Sequence, residues 1–316
     1  MNRKTKRKSI TFADALEGYW LARRSSFSKA TIDDYTLTFT RFAAFIGDQP
    51  LAEISAPDVQ RFLDHVRTTR NLSKKSVSNM WVALSSFWTW ASVELNVEHI
   101  IRNRVRQPEY RAPVIQIYTE VEIKAMLRAC EETNTWQSTR RRPTRSKRSE
   151  SLRDQAIITT LVDTGVRVSE LCHFEMRDYL SAQGRLMVRE GKWGKDRVVF
   201  LGQSARRTLW RYLISRTNTK PNDPLFTTNA GTALERNNLR KTLQRIGERA
   251  GVPGVTVHRF RHTFAVTFLR NGGNVLELQE MLGHERLDTV RIYAKLAEVD
   301  LQAAQQRSSV ADSWRL

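Results

Sequence analysis

Apolar positions in the first hundred residues recur every three to four places, which predicts helices and nothing else. TFADALEGYWLARR begins at a Thr11 cap, and SKATIDDYTLTFTRFAAFIG runs to Gly47. APDVQRFLDHVRTTR opens around Pro57, and LSKKSVSNMWVALSSFWTWASVEL closes the set. In the last segment the spacing of Trp81, Phe87, Trp88 and Trp90 fits a face buried among the other helices better than a platform for stacking on bases. Lys74 and Lys75 stand at the N-terminus of that helix, where backbone N–H groups favour a phosphate. A solvated first turn accounts for them equally well.

RNRVRQPEYRAP then breaks the period, with Pro108, Pro113 and four arginines. It reads as a linker, stiffened by proline and charged enough to lie along a polyanion. The expected division is a basic N-terminal extension at 1–10, a helical domain at 11–105, a linker at 106–116 and a second domain at 117–316.

The second domain mixes periods. YTEVEIKAMLRAC starts a helix with Thr119 as cap and Glu122 three residues on, the capping-box pattern. SLRDQAIITTLVDTG is a helix stopped by Gly165. GRLMVRE and KDRVVFL alternate as strands, and the GKWG between them predicts a hairpin. Helices return in QSARRTLWRYLISR, TALERNNLRKTLQRIGERAG, TVHRFRHTFAVTFLRNGG and MLGHERLDTVRIYAKL, where Gly283 ends one helix and Asp288 caps the next. The fold class is therefore mainly α with a small β-hairpin.

Composition narrows the partners. Lys and Arg outnumber Asp and Glu by 52 to 33, a net charge of +19. Such self-repulsion suits a partner rich in phosphate, with nucleic acid first and an anionic membrane surface second. Arg140, Arg141, Arg142 and Arg145 belong to a run, RRRPTRSKR, with six basic residues in nine. The run is either a solvated loop or a clamp on a backbone, and Lys192 in the GKWG turn offers a further contact. No apolar run is long enough to span a bilayer, and MNRKTKRKSI lacks the apolar stretch of a secretory signal. Cys130 and Cys172 are too few for a disulfide framework. A cytoplasmic, nucleoid-associated protein is expected.

Candidate chemistry gathers in the second domain. In HRFRH, His258 and His262 recur at i and i+4, but no Glu follows His258 and no third ligand is evident, so zinc finds no support. His258 and Arg261 share an edge away from the stripe of Phe260, Phe264 and Phe268, a pairing that suits a phosphate oxygen and a proton. Arg167 opens a helix in TGVRVSEL beside Glu170, and Lys195 leaves the GKWG turn. Tyr293 lies beside an apolar helix face, where a tyrosine is ordinarily a packing residue.

Together TGVRVSEL, GKWGKDRVVFL, HRFRHTFA, LGH and the tyrosine nine residues beyond that histidine resemble the tyrosine recombinase (phage integrase) family, in order and spacing, across the whole second domain. The first domain is similar to that family's core-binding domain. The resemblance implies six active-site residues: Arg167, Lys195, His258, Arg261, His284 and Tyr293. Tyr293 would attack the scissile phosphate and form a 3′-phosphotyrosyl bond, freeing a 5′-hydroxyl. Arg167 and Arg261 would hold the non-bridging oxygens and Lys195 would protonate the leaving oxygen. His258 would assist proton transfer near the tyrosine oxygen, and His284 would hydrogen-bond the phosphate. Glu170 would orient Arg167 from behind. The ester conserves bond energy, so resealing needs no ATP, no metal and no cofactor.

The implied partners are double-stranded DNA and a homo-tetramer on synapsed DNA, two protomers per site, passing through a Holliday junction. An accessory DNA-bending or directionality protein belongs to the same expectation. Relaxation of DNA by a type IB topoisomerase uses a similar site, although that class usually carries Lys where His258 stands. A catalytically silent DNA-binding protein of this fold is expected to lack at least one of the six. Phe260 and Arg259 depart tolerably from the family pattern. No arm-binding domain is expected before residue 11, which would place the chain nearer Xer-type and simple phage or transposon recombinases than large arm-binding integrases. The tail from Glu298 carries Leu301, Ala304 and Trp314 for burial, on its own domain or on a neighbouring protomer.

Overall fold

Side-chain caps mark the start of many of the helices. In the computed structural model, which describes residues 10–47, 49–110, 114–131, 136–138, 141–144, 150–189, 196–283, 288–297, 305 and 309–314, the chain divides into two compact units, Met1–Pro113 and Val114–Leu316.

The first unit contains α1 (Phe12–Arg23), α2 (Lys29–Ile46), α3 (Ala56–Thr68) and α4 (Lys74–Glu94). The Thr11 hydroxyl accepts from the Asp14 amide at 3.1 Å and the Asp14 carboxylate answers from the Thr11 amide at 3.0 Å, which fixes the start of α1. Phe12, Tyr19, Phe39, Phe42, Phe87 and Trp88 are buried together with Trp90. Phe12 meets Phe87 at 4.7 Å and Phe42 edge-on at 5.0 Å between ring centroids. The aromatic stripe of α4 is thus core. Trp81, half-buried, donates from Nε1 to the Val105 carbonyl at 3.0 Å. That bond and the burial of Ile101 and Val105 anchor the irregular chain that leaves α4.

The second unit opens with α5 (Glu120–Ala129), whose capping box pairs Thr119 with Glu122, followed by strands β1 (Trp136–Ser138) and β2 (Arg141–Thr144) and helices α6 (Ser151–Thr164) and α7 (Val168–His173). Strands β3 (Tyr179–Leu180), β4 (Arg185–Val188) and β5 (Arg197–Phe200) form one antiparallel sheet in that order. The remaining helices are α8 (Gln203–Ile214), α9 (Arg236–Ala250), α10 (Val257–Arg270), α11 (Val275–Leu282), α12 (Asp288–Ala297) and α13 (Val310–Trp314).

Four local details depart from the sequence pattern. Part of the basic run is the strand β2, paired antiparallel with β1. The predicted hairpin gains β3, paired through Tyr179–Leu186 and Leu180–Arg185. Helix α9 begins at Arg236 because Ala233 bridges Thr227 and the Thr228 amide donates to the Thr232 carbonyl at 2.8 Å, which holds that bend out of the helix. Asp288 is the first residue of α12, and residues 284–287 before it lie outside the described residues.

Two apolar clusters fill the second unit. One joins α5, α6, α8, α9 and the sheet, and the other gathers Phe264, Leu269, Leu278, Leu282, Val290 and Tyr293 from α10, α11 and α12. Trp314 in α13 is 70% exposed, while Leu301 and Ala304 lie outside the described residues.

Candidate active site

Helix α10 carries the centre. Its Thr256 cap accepts from the Arg259 amide at 3.2 Å, and Phe260, Phe264 and Leu269 bury one face. Arg259 is structural: it lies over the Tyr118 ring at 4.1 Å and pairs with Glu122 at 2.8 Å. Arg261 points inward and is only 6% exposed. Its Nη1 donates to the Gly165 carbonyl at 2.8 Å and its Nη2 to the Leu282 carbonyl at 2.7 Å.

Gly165 makes this approach feasible. It ends α6 in the left-handed conformation at φ 60°, and a Cβ there would collide with the Phe264 ring and lie 3.0 Å from Leu282. The chain then turns into α7 through Arg167. The Arg167 amide donates to Glu170 Oε2 at 2.8 Å and its Nη1 to Oε1 at 2.8 Å, while Nη2 reaches the Gly283 carbonyl at 3.2 Å.

A third arginine, Arg197 on β5, completes the arrangement. Its Nη1 and Nη2 donate to Oε1 and Oε2 of Glu170 at 2.9 and 2.8 Å, and its Nε donates to the Met281 carbonyl at 2.8 Å. The consecutive carbonyls of Met281, Leu282 and Gly283 therefore each accept from a different guanidinium. A helix C-terminus presents unsatisfied carbonyls and the negative end of its dipole, so the end of α11 is a natural seat for cations. Gly283, left-handed at φ 62°, lets the backbone leave at that point.

The electrostatics follow from this packing. Burial alone would raise the Glu170 carboxyl, but the hydrogen bonds and charge of Arg197, then those of Arg167, hold it down at about 2. Burial, and next the charge of Arg167, pull the Arg261 guanidinium down to about 9, against the opposing pull of Glu170. Three guanidiniums facing one carboxylate leave a surplus of positive charge in a partly dry pocket.

Tyr293 on α12 is 5% exposed. Burial raises its phenol above the usual value, while the charges of Arg261 and Arg167 oppose the rise. Its Oη lies 3.0 Å from Nδ1 of His262. His258 is exposed near the start of α10, and its charge acts on His262. The imidazole hydrogen-bonded to the phenol is His262, one turn further along the same face of α10.

Arg167, Glu170, Arg261 and Tyr293 thus come together. Lys195 and His284 lie outside the described residues, as do Lys192, Arg140 and Arg145. Arg141 and Arg142 lie on β2. Lys74 and Lys75 are exposed in the first turn of α4, after a Ser73 cap that accepts from the Ser76 amide at 3.2 Å. Sequence reasoning missed two residues of the site, Arg197 and His262. Arg197 belongs to the predicted strand KDRVVFL, and His262 was visible as the second histidine of HRFRH. Among the described residues no group of three or more His, Cys, Asp or Glu side chains could hold a metal ion.

Comparison with known proteins identifies the family. Residues 117–299 match the phage integrase family model, and residues 21–94 match the phage integrase N-terminal SAM-like domain. Tyrosine recombinase XerA of Pyrococcus furiosus is 29% identical over 289 residues, covering 90% of each chain. Tyrosine recombinase XerC of Pelobacter propionicus is 30% identical over 287 residues, covering 88% of each. Among solved structures, a lambda integrase tetramer bound to a Holliday junction aligns over 91% of this chain and 78% of that one, with a TM-score of 0.71 at 18% identity. The chain belongs to the phage integrase family of tyrosine recombinases.

Proposed function

We propose that the protein is a site-specific DNA recombinase in which Tyr293 cuts one strand at a time and Arg167 and Arg261 hold the phosphate. The observation that carries this reading is the burial of Tyr293 where the charges of both arginines, from the same chain, reach its hydroxyl. A nucleophile and the cations that would hold its target therefore share one pocket.

In cleavage the bond from Tyr293 Oη to phosphorus forms and the bond from phosphorus to the 5′-oxygen breaks. A phosphodiester carries one negative charge and develops a second as the phenolate adds, and the surplus of guanidinium charge suits that change. Arg261 is already fixed by two carbonyls and Arg167 by Glu170, so neither has to reorganise as the charge develops. Lys195 and His284 take the roles the family resemblance implies, protonating the 5′-oxygen and binding the phosphate. Rejoining is the reverse step with the 5′-hydroxyl of a partner strand.

Exchange needs two duplexes cut in step, so the working assembly is a homo-tetramer, two protomers per site, passing through a Holliday junction. The lambda integrase tetramer on such a junction is a precedent for this fold. The formal charge of +19 supports a DNA partner bound in large part through its phosphates. Among the described residues no helix is long and apolar enough to cross a membrane.

The test is direct. Fragmented genomic DNA from the source organism is incubated with the protein, quenched in SDS, and the DNA in covalent adducts is sequenced. Wild type is expected to enrich one site, and a nicked duplex carrying it to accumulate adduct. Tyr293→Phe is expected to give none; an adduct with that variant would remove Tyr293 from the mechanism. Relaxation of supercoiled DNA lacking the site, without exchange between two sites, would replace recombinase by topoisomerase.

A further inference from the structure

We propose that His262 is the base that takes the phenolic proton of Tyr293 as the hydroxyl attacks the scissile phosphate. The proposal rests on the recombinase reading above and adds a residue outside the six that the resemblance supplies.

The first support is contact. His262 Nδ1 lies 3.0 Å from Tyr293 Oη, and the two ring centroids are 5.6 Å apart, so an α10 side chain touches the reacting atom itself. Between a phenol and a neutral imidazole, the phenol is the stronger donor and the ring nitrogen the stronger acceptor. The proton therefore sits on Oη and points at Nδ1, which assigns the ring's own proton to Nε2.

The second support is exclusion of a competitor. Tyr293 is 5% exposed, which leaves bulk water poor access to its hydroxyl. The half-buried His262 is an acceptor already in place.

The third is the charge around the pair. On its own helix His262 faces His258 and Arg261, from α12 it faces Tyr293, and the corner between α6 and α7 brings Arg167 to bear on that phenol. Burial, then the charges of His258 and Arg261, favour the neutral ring, which is the form that can accept. Arg261 and Arg167 meanwhile favour the phenolate that the transfer creates. The phosphate held between them supplies negative charge opposite the new imidazolium.

The step balances. The Oη–H bond breaks and an Nδ1–H bond forms, Oη bonds to phosphorus, and the 5′-oxygen leaves with a proton from the family's general acid, Lys195. On rejoining, the imidazolium returns its proton to the phenol oxygen.

The test uses the nicked duplex recovered with wild type and follows adduct formation in single turnover across the range where imidazole titrates. Wild type should lose rate on the acid side, with a midpoint below the ordinary histidine value of 6.5. His262→Phe should fold and bind the duplex, cleave about 10²- to 10⁴-fold more slowly, and regain rate steadily as pH rises toward ionisation of the phenol. His262→Asn places Oδ1 near the position of Nδ1, so it keeps an acceptor that cannot hold a proton. It should be as slow as the Phe variant.

An Asn variant with wild-type rate and pH profile would reduce His262 to a positioning residue and overturn the proposal. A Phe variant faster than wild type would do so too, marking the contact as a restraint on the nucleophile. If the Phe variant melts early, the Asn variant decides alone. Failure of the recombinase reading looks different: Tyr293→Phe would still form adduct, whatever His262 does.

Discussion

Arg197 grips both carboxylate oxygens of Glu170, with Nη1 on Oε1 at 2.9 Å and Nη2 on Oε2 at 2.8 Å. The pair joins β5 to α7, and the same carboxylate takes the Arg167 amide and guanidinium. Removing one partner of a buried pair strands the other's charge. Glu170→Gln is therefore expected to lower stability by about 3–5 kcal/mol, read as an earlier thermal melt. Cleavage should fall with it, because Arg167 loses its anchor. An unchanged melt would show that the pair is not a support.

The same carboxyl sets an acid limit. Its pKa is about 2 in the fold against 4.5 for an ordinary glutamate. A depressed folded pKa adds stability above the unfolded value, and that stability fades as pH falls toward the folded one. Wild type should therefore lose stability between about 4.5 and about 2 more steeply than Glu170→Gln does. Denaturant melts of the two proteins at a series of acid pH values provide the comparison.

Arg261→Lys separates charge from geometry. A lysine ammonium is a point charge and cannot bridge the Gly165 and Leu282 carbonyls as the planar fork does. Adduct formation in single turnover should drop by about 10²- to 10³-fold, with duplex affinity measured by gel shift changing far less. Equal losses in both would mean that Arg261 only binds.

Lys74 and Lys75 test the first unit. Both are exposed at the start of α4, where amide groups and positive side chains together suit a phosphate. Each Lys→Ala change is expected to weaken binding about uniformly across DNA sequences and to reduce the slope of log affinity against log salt by about 1. A slope equal to that of wild type would leave them as solvated residues.

Local chemistry explains which parts of this molecule could be read from sequence. Thr11, Thr119, Gly165 and Gly283 mark helix limits because a cap needs only its own neighbours, and each occupies the expected place. The late start of α9 was hidden because a bridge from Thr227 to Ala233 outweighs good helix formers such as Leu234 and Glu235. Arg167, Glu170, Arg261 and Tyr293 were found by the order of motifs along the chain. Arg197 was not, since its partners are Glu170 and a carbonyl 84 residues downstream. HRFRH offered two imidazoles a turn apart, but only the packing of α12 against α10 decides which of them meets a phenol.

The end of α11 meets three arginines through the main-chain oxygens of Met281, Leu282 and Gly283. Packing restricts Leu282, which is fully buried, while Arg197 and Arg261 take the carbonyls of Met281 and Leu282. Residues there can be exchanged for others of like bulk with those carbonyls left in place, whereas any change in the course of the backbone reaches Arg167, Arg197 and Arg261 together. The chemistry is thus tied to a path through space and stays indifferent to the letters written along it.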